Sequence, residues 1–225
     1  MTELARHETP YSVVEREPPE VLAGNLRVGA HLWSSATAFF FVPFLFAYFY
    51  LRSLDKHSAF RPKQVTPSFT LGTLAIAAIV AAVATIWLGY RDRAADRRPQ
   101  WRLKGLVALL LLVAAIALQI AEWATQGFGP ADGGYASVYL GWTGMLVLFV
   151  LGLTYWLATT FALSVRYGTF KQPLDPAHAS GDPHRTDSDV NDPLSLVVPE
   201  LHAVAFFGSA VAAIAVITWI VLYLV

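Results

Sequence analysis

Five stretches of this chain are each long and apolar enough to cross a lipid bilayer. They fall at about residues 30–51, 69–90, 103–123, 138–165 and 201–225. A bilayer core about 30 Å thick takes roughly 20 helical residues. Inside it no water is present to satisfy a backbone N–H or C=O, so each stretch must close its own hydrogen bonds as a helix. The expected fold is therefore an all-α, polytopic bundle of five transmembrane helices. Charge supports this reading: Asp, Glu, Lys and Arg make up 14% of the chain, against about 25% in a soluble domain.

Basic residues set the expected orientation. Arg6, Arg16 and Arg27 lie before the first span. Arg91, Arg93, Arg97, Arg98, Arg102 and Lys104 lie between the second and third, and Arg166, Lys171 and Arg185 before the fifth. The opposite side has only Arg52, Lys56, Arg61 and Lys63. The richer side should face the cytoplasm, which puts the N-terminus inside and the C-terminus outside. Residues 1–28 read as a retained polar tail. Residues 166–199, rich in Pro, Gly, Ser and Asp, read as a solvated, mobile acidic loop.

Composition removes several kinds of chemistry. The chain has no Cys, so disulfides, thiolate metal sites and Cys nucleophiles are excluded. Its formal net charge of zero gives no sign of a nucleic-acid surface. Charges at mid-membrane depth are costly and usually functional, yet the centres of all five spans lack them. His31, Glu122, Glu200 and His202 sit near span ends. His31 and His202 could in principle share a metal, but no third ligand lies near them in sequence. Glu122 stands at the outer end of its helix, where the dipole disfavours a carboxylate. Arg52 ends the first span on the same side. The expectation is that they pair or share a lipid headgroup, with two separately hydrated charges as the plain alternative. The many aromatics near span ends need only an interfacial belt to explain them. Small residues in LAIAAIVAAVA and SAVAAIAV suit close helix packing.

Two stretches carry a family resemblance. WSSATAFFFVPFLFAYFYLR, residues 33–52, resembles the first helix of the compact, five-helix form of subunit III of haem-copper terminal oxidases. LQIAEWATQGFGPADGGYASVYLGWTG, residues 118–144, is similar to that family's passage from third to fourth helix, through Gln119, Glu122, Trp123, Gly127, Phe128, Gly134, Tyr135, Ser137, Thr143 and Gly144. The chain also departs from the family. Thr37 stands where a Glu is usual, Leu146 and Phe149 where two His are usual, and Phe206–Ser209 replaces a polar His-Phe-x-Asp stretch.

The resemblance implies a non-catalytic accessory subunit of a respiratory cytochrome c oxidase in the bacterial plasma membrane. Such a subunit binds no cofactor or metal. Haem and copper belong to partner subunits I and II, and phospholipid is a common companion. Candidate lipid or partner contacts are Arg52, Glu122, Trp123, Tyr48 and Thr37. The surface toward subunit I should include the first helix and a small-residue face of the third or fourth. The alternatives are an accessory subunit of a nitric oxide reductase and a small stand-alone membrane transporter. Pro43 and the Ser34–Ser35–Thr37 group are the only hints of a transporter's polar site.

Overall fold

A computed structural model describes residues 19–55, 59–168 and 196–225. The described residues form five long helices: α1 Pro19–Ser53, α2 Phe69–Ala94, α3 Arg98–Thr125, α4 Gly134–Gly168 and α5 Val197–Trp219. A short π-helical turn, Ile220–Leu224, continues α5. All five are long and apolar enough to span a membrane, so the chain is a multi-pass membrane protein. Most of the expected loop 166–199 lies outside the described residues.

Several helices run past the apolar stretches that announce them. Hydropathy marks the part of a helix that sits in hydrocarbon, whereas hydrogen bonding carries the helix on into the headgroups. Thus α1 begins at Pro19 rather than near residue 30, because Pro is tolerated at a first helical position that needs no N–H partner. Arg98–Pro99 opens α3 in the same way.

The second and third helices form a tight antiparallel hairpin, and α3 also packs on α4. α5 lies among α1, α2 and α4 and is the most buried of the spans. Small side chains make that place possible, since they let helix backbones approach. Ala203, Ala205 and Ala215 are buried. A Cβ at Gly208 would come within 3.3 Å of Val83 on α2 and 3.5 Å of Leu153 on α4. The small-residue stripe of α3, with Gly105, Ala108 and Ala115, also faces this chain's own core. That stripe is not free to meet a partner, whereas Ala114, Ala117, Ala121 and Ala124 on another side of α3 are exposed. On α4, Gly144 and Gly152 do face open space.

α1 is the outlying helix. Phe39 and Phe46 are 76% and 67% exposed, while Phe40 and Phe41 pack against Phe149, and Phe44 against Trp142. α1 and α4 meet in this half and separate toward α1's N-terminal half. There a groove of about 450 Å³ opens, lined by Gly29, Trp33, Phe149, Gly152, Trp156 and Phe207.

The turn between α2 and α3 is an ionic knot. Asp92, 4% exposed, is bound by Lys104 and approached by Arg97 at 3.7 Å. Asp96 takes a left-handed backbone conformation, φ 55°, which suits a residue just past a helix end. Its exposed carboxylate accepts from Arg98 at 3.0 Å and from Arg93 at 3.3 Å. The hydrogen bond and charge of Arg98 hold the Asp96 carboxyl below the usual carboxylate range.

Candidate functional site

The polar groups of the bundle converge at the opposite end, where α3 stops, α4 starts and α5 finishes. Gln119 and Glu122, one turn apart on α3, lie on the stripe that carries Gly105, Ala108 and Ala115. Side chains three or four residues apart share a helix face, so both point into the bundle. Glu122 is 0% exposed. Its carboxylate accepts from the Gln119 amide at 3.0 Å. The Tyr223 hydroxyl donates to it, 2.8 Å from one oxygen and 2.9 Å from the other. Tyr139 sets its own hydroxyl 3.3 Å from that of Tyr223.

Tyr223 reaches Glu122 for two local reasons. The π turn adds a residue to the helical repeat and swings the side chain inward. Such turns are commonly found at functional positions. On α2, Gly72 leaves the needed notch, since a Cβ there would overlap the Tyr223 ring and hydroxyl.

The first residues of α4 complete the assembly. Tyr135, 0% exposed, donates to the Leu222 carbonyl at 2.6 Å. Its backbone N–H donates to the Phe60 carbonyl at 2.9 Å. Arg61 stands 4.4 Å over its ring, a cation–π contact. Gly133, with φ +132°, permits the turn into α4, in a conformation that side chains rarely adopt, and packs against the Phe60 carbonyl. Trp123 donates to Thr143 at 3.1 Å, joining α3 to α4. Trp219 donates to Thr73 at 2.9 Å, joining α5 to α2.

Arg52 and Glu122 do not pair. The Arg52 guanidinium donates instead to the Val225 carbonyl at 2.7 Å, and among the described residues no Lys, Arg or His makes an ion pair with Glu122. Hydroxyl and amide donors take the place of the expected cation. Tyr48, Thr37 and Glu122 are 2%, 2% and 0% exposed, so none offers a surface to lipid or to a partner. Thr37 donates to the Trp33 carbonyl of its own helix. Arg52 and Trp123 remain accessible in part. Trp101, Tyr135 and Tyr139, expected in an interfacial belt, are each 0% exposed. Their polar atoms bind other helices, as in Trp101 to Ser164 at 2.8 Å.

Tyr223 and Gly72 escaped the sequence reading. A single Tyr near a span end looks like a belt residue, and its contact depends on a π turn. A signal for Glu122 was present, because Gln119 and Glu122 continue a small-residue stripe that marks a packed face.

The site is a closed tie among α2, α3, α4 and the end of α5. Among the described residues, no three His, Asp or Glu side chains gather as a metal-ligating group. His31 lies against Phe206 with ring centroids 4.2 Å apart and planes tilted by 33°, and His202 lies against Trp87 and Tyr90. No protein-family model matches this sequence, and no curated protein matches it.

Proposed function

We propose that this chain is a non-catalytic, scaffolding subunit of a bacterial respiratory haem-copper oxidase, similar to subunit III. One observation carries the reading. The residues that bear the resemblance, Gln119, Glu122, Trp123, Tyr135 and Thr143, are the ones that hold the bundle's end together. Gln119 bonds Glu122, Trp123 bonds Thr143, and Tyr135 binds the end of α5. A motif built of such contacts suits a rigid wall whose work is to hold shape.

In this reading the redox partner carries the haem and copper and reduces oxygen to water. The exposed aromatic face of α1 and the open side of α4 at Gly144 give this chain its contact surface, and the α1–α4 groove takes a lipid chain. The basic turn between α2 and α3 faces the cytoplasm, by the excess of Lys and Arg on that side.

The test is purification of the tagged chain in mild detergent. Oxidase subunits and a haem spectrum should accompany it. A purified chain that travels alone and catalyses substrate-dependent transport would overturn the proposal. Partners with nitric oxide reductase activity would reassign the complex.

A further inference from the structure

Three aromatic rings, one from each of three helices, converge on the α1–α4 groove. Trp33 of α1 and Trp156 of α4 form its walls, and Phe207 of α5 forms its floor. The Phe207 ring centroid is 6.3 Å from that of Trp33, with planes inclined by 58°. It is 6.1 Å from that of Trp156, with planes inclined by 42°. Rings inclined to one another in this way surround a volume instead of stacking face to face. Gly29 and Gly152 keep that volume open, since a Cβ at either meets nothing within 4 Å.

The same rings hold a carboxylate. Glu200 lies seven residues before Phe207 on α5, two turns away on the same side of the helix. It accepts a hydrogen bond from the Trp156 indole N–H at 3.2 Å. The acid therefore sits at the edge of a ring that lines the groove. A carboxylate bound to an indole N–H pushes electron density onto the ring and deepens the negative potential of its face. That potential attracts cations, and Trp attracts them best. An alkyl chain alone has no use for this arrangement, because aliphatic walls hold it as well. Met145, Leu148 and Phe149 supply apolar walls deeper in the groove. The groove is thus apolar toward mid-membrane, and aromatic and acidic toward the end that carries the basic turn. Like charge disfavours a phosphate beside Glu200, which sets this end of the groove apart from a seat for a phospholipid headgroup.

We propose that Trp33, Trp156, Phe207 and Glu200 form a binding site for a lipophilic organic cation, an alkylated ammonium whose chain lies in the groove. The three rings hold the ammonium by cation–π attraction. Glu200 supplies the countercharge, and Leu148 and Phe149 pack the chain. The site rests on the reading of the groove as a seat for an apolar chain, and it is independent of the oxidase reading.

Full-length chain in a non-ionic detergent is titrated with hexyltrimethylammonium, hexanol, hexyl sulfate and hexylphosphocholine, and the heat of binding is measured. The four share one chain and differ in the charge of the head. The wild type should bind the ammonium about tenfold more tightly than hexanol, within the range of a partly desolvated cation–π site. It should bind the sulfate and the phosphocholine more weakly than the ammonium. Trp33→Leu keeps an apolar wall and removes one ring; Trp33 is 57% exposed, so the fold survives. It should weaken the ammonium about threefold, on the scale of one exposed cation–π contact, and leave hexanol within about twofold. Glu200→Gln keeps an acceptor for Trp156 and removes the charge, so it should narrow the gap between ammonium and sulfate. Phe39→Leu removes an exposed ring of α1 that does not line the groove and should leave all four affinities unchanged. Equal affinity of the wild type for ammonium and hexanol would overturn the proposal while leaving the groove a seat for an apolar chain. A Trp33→Leu loss shared equally by hexanol, or matched by Phe39→Leu, would overturn it too. Failure of all four to bind would remove both readings of the groove.

Discussion

Tyr223, 101 residues from Glu122 in sequence, places its hydroxyl within 2.9 Å of both carboxylate oxygens. A buried acceptor left short of a donor costs about 1–3 kcal/mol, and more when it is charged. Tyr223→Phe keeps the ring and removes only the donor. It should destabilise the chain by about 1–3 kcal/mol, read as a lower midpoint of thermal unfolding in mild detergent. Glu122→Gln keeps an acceptor of the same shape and should cost less. In the double variant the two losses should not add, since contacting residues couple. Additive losses would mean that the hydroxyl and the carboxylate do not meet.

Gly72 is the other half of that contact. Gly→Ala in a helix interior usually stabilises by up to about 1 kcal/mol. Here the added methyl would occupy the position of the Tyr223 hydroxyl, so Gly72→Ala should destabilise by about 1–3 kcal/mol, the usual cost of overpacking. In a Tyr223→Ala background the same change should become neutral or favourable. Gly144→Ala is the control, since nothing lies within 4 Å of its added Cβ, and it should not destabilise. Unfolding midpoints of the four variants decide the matter.

These contacts also show how far the sequence could be read. The spans were legible because hydrocarbon forces a long apolar helix whatever it packs against. The inward faces were not, because a helix apolar on every side has no periodic pattern to orient it. The spacing of Phe39, Phe41 and Phe46 along α1 does not reveal that Phe41 is buried while the other two are exposed. Glu122 looked like an interfacial charge in want of a cation. Its true donors come from Gln119, within reach of a spacing argument, and from Tyr223, which arrives only through the π turn and the notch at Gly72. Arg52 was expected at Glu122 because a topology diagram places residues at one end of a bundle without placing them around its circumference.

The α2–α3 turn should respond to acid in one direction. The Arg98 guanidinium lowers the Asp96 carboxyl, so folding favours the ionised form. The resulting stabilisation is complete above the unfolded value, near 4. It disappears as pH falls through the lower folded value, where both states are protonated. Asp96 is exposed, so the effect is small and sensitive to salt. The measurement is the carboxyl titration of Asp96 by NMR in detergent micelles. Its midpoint should lie below that of a model peptide and return toward it in Arg98→Gln or at high salt. A midpoint unchanged by Arg98→Gln would remove this pair from the turn.

The α1–α4 groove makes the last prediction. Gly29 and Gly152 border it, and a Cβ at either residue meets nothing within 4 Å. Trp33, Phe149, Trp156 and Phe207 give it aromatic walls, and a space of about 450 Å³ suits part of an acyl chain. Gly152→Leu should fill it from the α4 side without disturbing the core, because the added side chain projects into open space. Stability of the isolated chain should stay within about 0.5 kcal/mol, as for other changes away from packed features. Lipid retained through purification, counted by mass spectrometry of the extract, should fall. If the groove instead seats a partner helix, lipid retention will not change and recovery of co-purifying subunits will drop. The two outcomes distinguish the groove's occupants, and the unfolding midpoint confirms in either case that the fold is intact.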